Sequence, residues 1–184
     1  KDMDLVVSYG ERISSIIVAS VLNAKHWNSL ELIKTNKGLR KNILNSDLTY
    51  SNIDRAYNGE HRVVMGGFIS SDTETGEITN LGRGGSDYTA AIVAGALKAE
   101  ALEIWTDVDG FLTADPRLVR NAYTIEELSY IEAVELSNFG AKVIYPPTIY
   151  PVYEKNIPLY IRNSYNPEFK GTKISGHKSA EGQA

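Results

Sequence analysis

The sequence contains no cysteine among its 184 residues, which excludes disulfide bridges, thiolate metal ligands and a cysteine nucleophile. Histidine is also scarce, and His26, His61 and His177 lack the spacing of metal ligands, so we expect no metal site built from side chains. No run reaches the roughly 18 consecutive apolar residues of a membrane span, and the N-terminal residues lack the layout of a secretory signal. We therefore predict a cytoplasmic protein without a membrane partner.

The sequence also lacks an excess of basic residues. Lys and Arg number 19 against 23 Asp and Glu, which gives a net charge of −4 and argues against a nucleic-acid partner. Hydrophobic residues make up 42% of the chain and charged residues 23%, which is enough apolar material for a packed core. Length and composition together predict one domain over residues 1–165, followed by a polar linker or tail over 166–184.

Hydrophobic periodicity and turn residues predict alternating helices and strands. Such alternation is typical of an α/β sandwich with a largely parallel sheet. In chain order we predict a strand end at Leu5–Val7, helix Glu11–Ala24, strand Leu30–Lys34, helix Ser51–Tyr57, strand Arg62–Met65, a hairpin tip at Thr73–Glu77, helix Tyr88–Ala99 with Ser86 or Asp87 as its N-cap, strand Ala101–Thr106, helix Ile125–Phe139, helix Pro146–Lys155 and strand Ile157–Arg162.

A glycine-rich loop, Gly82–Asp87, stands directly before the predicted helix at Tyr88. Glycines let the backbone come close to a ligand, and a helix start favours an anion. Arg83 adds a planar guanidinium that suits a carboxylate or a phosphate. The loop matches neither the Walker A pattern nor the dinucleotide fingerprint, and a tight turn with an exposed arginine explains it too.

A second polar segment follows the predicted strand at Ala101–Thr106. Thr106–Gly110 and Asp115–Arg117 supply hydroxyl, carboxylate and guanidinium groups that suit a nucleotide, although turn chemistry explains them almost as well. A calcium loop is excluded, because aligning Gly110 with the loop glycine places Pro116 at the last ligand position.

Two further charged residues are candidates on position alone. Lys142 follows a predicted helix end, where lysines commonly interact with the helix dipole and solvent. Glu11 stands at a predicted strand-to-helix turn, where it suits a ligand ammonium or simply the helix dipole. Ser14 and Ser15 have no histidine near them in sequence, and no nucleophile elbow is present, which argues against a hydrolase triad.

Five ordered motifs together resemble one enzyme family. They are Val7–Arg12, Leu81–Tyr88, Trp105–Gly110, Asp115–Arg117 and Phe139–Val143. In this order they resemble aspartate kinases, of the amino-acid kinase superfamily, and the resemblance extends to about residue 174. It implies a three-layer α/β sandwich with a largely parallel central sheet, and transfer of a phosphoryl group from Mg-ATP to the β-carboxylate of L-aspartate.

The resemblance also implies roles for individual residues on the aspartate side. Glu11 would meet the substrate ammonium, and Arg83 would pair with a substrate carboxylate. Asp87 would act as a catalytic residue that organises the loop and nearby lysines. The loop beneath the substrate would be lined by Gly84, Gly85 and Ser86.

On the ATP side, the resemblance implies that Lys142 is both catalytic and nucleotide-binding. Leu112 stands where family members often carry a tyrosine, so a ring contact to ATP is not expected there. The full set implied for the nucleotide is Thr106, Asp107, Leu112, Arg117, Lys142 and Val143.

One family segment has no counterpart in these 184 residues. The Lys-Phe-Gly-Gly segment, whose lysine is thought to hold the transferring phosphate, is missing, which suggests a kinase domain truncated at its N-terminus and nearly inactive by itself. The resemblance further implies a homo-oligomer for the full-length protein. Three alternatives stay open: another superfamily member acting on glutamate, acetylglutamate, carbamate or UMP, a non-catalytic sensor of amino acids or nucleotides, and a structural interaction module.

Overall fold

The computed structural model describes residues 2–39, 41–141 and 143–176 of the protein. The chain forms two compact units, the first ending at Leu97 and the second beginning at Lys98. Both units combine helices with strands. Within the described ranges, no helix has the length and apolar character needed to cross a membrane.

The first unit carries two sheets. β1 and β4 pair in parallel, and a mixed sheet has the order β3-β2-β5-β6, in which only β2 and β5 are parallel to each other. Its elements are α1 (Asp2–Val21), β1 (Lys25–Trp27), α2 (Ser29–Leu32), β2 (Lys34–Lys37), β3 (Asn42–Leu44), α3 (Ser46–Ala56), β4 (Val63–Met65), β5 (Ile69–Asp72), β6 (Ile78–Asn80) and α4 (Gly85–Leu97).

The core of the first unit is an apolar cluster drawn from β1, α2, α3 and α4. Ile33, Ile53 and Ile92 are completely buried in it. Trp27 adds the largest side chain, and its ring meets Tyr57 edge-to-face at a centroid distance of 6.4 Å. This cluster fixes α4, whose first turn follows the glycine-rich loop.

Helix α1 packs through its small residues and leaves its apolar residues exposed. It lies against β4 and β6, and its buried face includes Ser8, Ser15 and Ala19. The two serine hydroxyls donate to carbonyls one turn earlier, so their burial leaves no unpaired donor. The apolar residues that predicted this helix do not enter the core; they are 55% or more exposed and comprise Ile13, Ile16, Ile17 and Val21.

Capping residues explain why several predicted boundaries in the first unit were wrong. Leu5–Val7 lies inside α1 and not in a strand. The predicted strand at Leu30–Lys34 divides into α2 and β2, because the Asn28 side chain accepts a hydrogen bond from the Leu30 amide and caps a short helix. Asn45 caps α3 in the same way, so that helix begins earlier than predicted, at Ser46.

The second unit carries one four-stranded sheet with the order β7-β9-β10-β8. β9 is parallel to β7 and antiparallel to β10, while β8 is parallel to β10. Its elements are β7 (Leu102–Thr106), β8 (Glu127–Ser129), α5 (Tyr130–Asn138), a 3₁₀ turn (Pro146–Thr148), α6 (Tyr150–Tyr153), β9 (Leu159–Asn163) and β10 (Thr172–Ser175).

Strand β10 corrects the prediction of a polar tail from residue 166 onward. It lies inside the sheet, between β9 and β8, and Thr172 and Ile174 are completely buried. The Thr172 hydroxyl accepts a hydrogen bond from the Phe111 amide at 2.8 Å and donates to the Ile125 carbonyl at 2.7 Å. The short strand was missed because Lys and Gly residues around it resemble linker composition. The rest of the predicted tail, residues 177–184, lies outside the described residues.

Helix α5 begins later than predicted. A capping box between Ser129 and Glu132 starts the helix at Tyr130, and Glu127–Ser129 instead forms β8. The predicted helix at Pro146–Lys155 is divided into the 3₁₀ turn and α6. The predicted strands at 62–65, 101–106 and 157–162 and the hairpin tip at 73–77 are confirmed.

Candidate functional site

The glycine-rich loop of the first unit is a tight turn that presents Arg83 to solvent. The Gly85 amide donates to the Gly82 carbonyl at 3.0 Å, which places Arg83 and Gly84 at the two central positions of the turn. Gly82 and Gly84 have φ values of +75° and +65°, so this turn requires glycine on both sides of the arginine. Arg83 is exposed, and its guanidinium is therefore accessible to an anionic ligand.

Helix α4 begins immediately at this turn, at Gly85. Ser86 and Asp87 thus lie in its first turn and neither is the N-cap, which corrects the sequence prediction. Amides in a first turn have no partner inside the helix and favour an anion. Asp87 is partly buried there, and this desolvation raises the pKa of its carboxyl above the ordinary value.

Two consecutive glycines bring Glu11 and Ser86 close to one stretch of backbone. A Cβ on Gly66 would lie 3.0 Å from the Glu11 carbonyl oxygen, and a Cβ on Gly67 would lie 2.8 Å from the Ser86 Cα. The distance at Gly67 is shorter than real Cβ contacts and requires glycine there, while the distance at Gly66 is tighter than the ordinary contacts that start at about 3.4 Å. The sequence analysis assigned no role to this pair, although a Gly-Gly pair directly after the predicted strand Arg62–Met65 is a signal that could have found it.

The first unit therefore combines a carboxylate, a guanidinium and a helix N-terminus within one set of connected elements. Glu11 suits an ammonium group, while Arg83 and the first-turn amides suit a carboxylate or phosphate. The predicted aspartate-side residues thus all belong to this unit. Gly66 lies against Glu11 and Gly67 lies against Ser86, so the glycine pair brings both residues close to one stretch of backbone. This chemistry fits an amino acid that carries a second acidic group.

In the second unit, Thr106 and Asp107 end β7 as predicted. The Thr106 hydroxyl lies 3.2 Å from Asp107 Oδ1, and Asp107 is exposed. Asp109 is not free, because its carboxylate accepts a hydrogen bond from the Asn163 amide at 2.8 Å. This contact joins the loop after β7 to the last residue of β9, and Thr106 and Asp107 lie at the same carboxyl end of β7, where ligands of open α/β sheets commonly bind.

Arg117 is already paired in this structure. Its guanidinium contacts the Asp115 carboxylate at 2.7 Å, and its side chain is 87% exposed. Hydrogen bonds from the Arg117 side chain and backbone lower the pKa of Asp115 to about 2. Leu112 lies five residues earlier and forms an isolated antiparallel bridge with Thr124. A phosphate contact from Arg117 therefore has to compete with the Asp115 carboxylate.

The third predicted segment contributes Val143, which is half-buried just before the 3₁₀ turn. Lys142, predicted as a catalytic and nucleotide-binding residue, lies outside the described residues. Its predicted role is therefore untested.

Ser15 and His26 are in contact, which their distance in sequence did not predict. The Ser15 Oγ lies 3.1 Å from the His26 Nε2 and donates its proton to the Arg12 carbonyl at 3.0 Å. His26 must then act as the donor, which is the reverse of nucleophile activation. With Ser15 only 6% exposed, the pair is a buried contact between α1 and β1.

Two other features carry no part of this site. Over residues 2–39, 41–141 and 143–176, no three His, Asp or Glu side chains converge in a way that fits a metal ion. A surface cavity of about 490 Å³ contains none of the predicted site residues; it is lined by Leu22, Asn23, Lys25, Glu60, His61 and Arg62.

The chain is thus an α/β protein with polar groups at a strand end and at a helix start, the positions where open α/β folds commonly carry ligands. The chain belongs to the amino acid kinase family, whose sequence profile matches residues 1–163. It is similar to the aspartokinase of Geobacillus stearothermophilus, with 39% identity over 98% of this chain and 45% of the relative. It is also similar to the bifunctional aspartokinase/homoserine dehydrogenase of Buchnera aphidicola, with 39% identity over 96% of this chain and 22% of the relative.

A solved structure gives the same result. The structure of E. coli aspartokinase III in complex with aspartate and ADP superimposes with a TM-score of 0.88 and 34% identity, over 96% of this chain and 41% of that chain. The predicted resemblance and the predicted α/β fold are confirmed by these comparisons. Parallel strand pairs only slightly outnumber antiparallel ones in the described residues, so the sheets are mixed. The chain spans less than half the length of these relatives.

Proposed function

We propose that this chain is part of an aspartate kinase, which transfers the γ-phosphoryl group of ATP to the β-carboxylate of L-aspartate. The observation that carries the proposal is the grouping of Glu11, Arg83 and the start of α4 in one unit. An ammonium acceptor and carboxylate donors on connected elements match an amino acid with a second carboxylate. The E. coli relative in complex with aspartate and ADP supports this choice of substrates.

In the proposed reaction, an oxygen of the β-carboxylate attacks the γ-phosphorus, and the bond to the β-phosphate oxygen breaks to release ADP. No general base is required, because a carboxyl with an ordinary pKa near 3.9 is ionised at neutral pH. The chain's contribution is alignment and stabilisation of negative charge. Glu11 holds the ammonium, Arg83 holds a carboxylate, and Gly84, Gly85 and Ser86 supply the backbone beneath the substrate.

Asp87 has the role of organising this loop and the lysines that approach it. Its partly buried carboxylate is costly to keep charged, so a nearby cation favours its ionised form. The proposed nucleotide contacts come from the second unit and from residue 142; they are Thr106, Asp107, Leu112, Arg117, Lys142 and Val143.

Several finer parts of the proposal rest on the resemblance alone. Mg²⁺ would accompany ATP, held mainly by phosphate oxygens and water, which is its common mode of binding. A homo-oligomeric assembly and a cytoplasmic location stay predictions. Because Lys-Phe-Gly-Gly does not occur in the 184 residues, we expect turnover from a longer polypeptide that includes this segment and little from the 184 residues alone.

The proposal is tested by two measurements, each made on the 184-residue chain and on the longer polypeptide that includes the Lys-Phe-Gly-Gly segment. ATP-dependent hydroxamate formation is followed with aspartate, glutamate and acetylglutamate, and aspartate binding is measured by calorimetry. We expect activity with aspartate only. Glu11→Gln should weaken aspartate binding about tenfold, because a hydrogen bond to a charged group is lost. The matched control, Glu74→Gln, changes an exposed hairpin residue and should have no effect.

Two outcomes would contradict the proposal. The first is activity that prefers glutamate or acetylglutamate, which would assign the chain to a different member of the family. The second is a lack of aspartate binding in both polypeptides. Binding without turnover in the longer polypeptide would instead indicate a sensor.

A further inference from the structure

The side-chain amide of Asn80 connects helix α1 to the glycine-rich loop. Asn80 is the last residue of β6, and its Nδ2 donates to the Asp4 carboxylate of α1 at 2.6 Å. On its other side, its Oδ1 accepts a hydrogen bond from the Gly82 amide at 2.8 Å. The planar amide of Asn80 therefore joins helix α1 to the glycine-rich loop, which is far from α1 in sequence.

The orientation of this amide is fixed by its partners. A carboxylate only accepts hydrogen bonds and a backbone N–H only donates, so the NH₂ group must face Asp4 and the oxygen must face Gly82. The backbone of Asn80 is held as well. It pairs with Ile69 in the sheet, and its carbonyl accepts a hydrogen bond from the Asn42 side chain at 3.1 Å.

The two elements joined by Asn80 carry the two charged groups of the proposed aspartate site. Glu11 lies seven residues along α1 from Asp4, which is about 10 Å along a helix axis. Gly82 is the first residue of the turn that presents Arg83. A displacement of α1 relative to this turn would change the separation between the carboxylate and the guanidinium.

We propose that Asn80 is a positioning residue that sets the separation between Glu11 and Arg83, and through it the preference for a dicarboxylate that also carries an ammonium group. The inference rests on the proposed function. Asparagine is the residue type that suits this place, since it offers a donor and an acceptor on one short side chain. Aspartate would keep the acceptor for Gly82 but set two carboxylates against each other.

The test compares aspartate with succinate, which has both carboxylates and no ammonium. In Asn80→Asp, we expect aspartate to bind about tenfold more weakly, while succinate binding changes less than about twofold because it does not use Glu11. The double variant Asp4→Asn with Asn80→Asp exchanges donor and acceptor across the same contact and should restore the aspartate affinity. Asn36→Asp is the matched control, because this exposed residue only accepts a hydrogen bond and keeps that ability.

Calorimetric titration of each variant gives both affinities, and thermal melting shows that each variant is folded. If Asn80→Asp does not fold, Asp4→Ala alone, which removes the acceptor for the Asn80 NH₂ group, should still lower the aspartate-to-succinate preference. Equal aspartate binding by wild type and Asn80→Asp, a parallel loss of both ligands, or no recovery in the double variant would overturn the inference. Failure of the unchanged chain to bind aspartate would instead contradict the proposed function, and the inference with it.

Discussion

Replacing Gly67 by alanine should displace the start of α4 and weaken aspartate binding. The added Cβ would lie 2.8 Å from the Cα and 2.9 Å from the Cβ of Ser86. The first distance is about 0.6 Å shorter than the start of ordinary contact, and its partner is backbone, which does not move aside as a flexible side chain does. Such overpacking costs about 1–3 kcal/mol of unfolding free energy.

The matched control is Gly10→Ala. Gly10 lies in α1 beside Glu11, and a Cβ there meets no atom within 4 Å. Alanine is favoured over glycine in a helix interior by about 0.8–1 kcal/mol, so this variant should be more stable than wild type. The two substitutions are chemically identical and are predicted to have opposite signs.

Urea unfolding measures the free-energy changes, and calorimetry measures aspartate affinity. We expect Gly67→Ala to lower the urea midpoint and to weaken aspartate binding by about tenfold or more, because a small misplacement of binding groups is costly. Gly10→Ala should raise the midpoint and leave the affinity unchanged. Unchanged stability and affinity in Gly67→Ala would refute the close approach between this glycine and α4.

Three further predictions concern single side chains. Burial raises the pKa of Asp87, so the charged carboxylate lowers the free energy of unfolding as the pH rises through this raised pKa. Asp87→Asn should therefore unfold at a higher urea concentration than wild type at pH 7 and show no such advantage at pH 3. The same variant should lose activity. Thr172→Val removes the hydrogen bonds of the buried Phe111 amide and the part-buried Ile125 carbonyl and should cost about 2 kcal/mol by urea unfolding, whereas Thr113→Val, at an exposed position, should cost less. Arg117→Ala should raise the pKa of Asp115 from about 2 towards its ordinary value, as followed by NMR titration.

The glycine-rich turn was predicted from the sequence more accurately than the elements around it. The Gly82–Asp87 loop was identified because glycine spacing and a following helix are local features, and the structure places that turn where it was expected. The roles of Gly66 and Gly67 depend on which backbone lies opposite them. That neighbour is 55 residues away for one and 19 residues away for the other, so no local pattern reveals it.

The errors in element type have a related cause. Helix α1 was predicted from the spacing of its apolar residues, but these stay exposed and the helix packs through serines whose hydroxyls are satisfied within the helix. Strand β10 was missed because four residues between two glycines do not form a recognisable pattern, although tertiary pairing on both sides stabilises them. In both cases, partners distant in sequence decide the outcome and local composition does not.

The interior place of β10 has a consequence for synthesis of the chain. β8 and β9 have no direct pairing and meet only through β10, so this sheet is incomplete until Ser175 has left the ribosome. The first unit is fully translated about 80 residues earlier, which corresponds to about 4–16 s at about 5–20 residues per second. During that interval the nascent second unit carries β7, β8 and later β9 without the strand that joins two of them. We therefore expect the first unit to acquire its final structure before the second unit, which contains the residues proposed for the nucleotide.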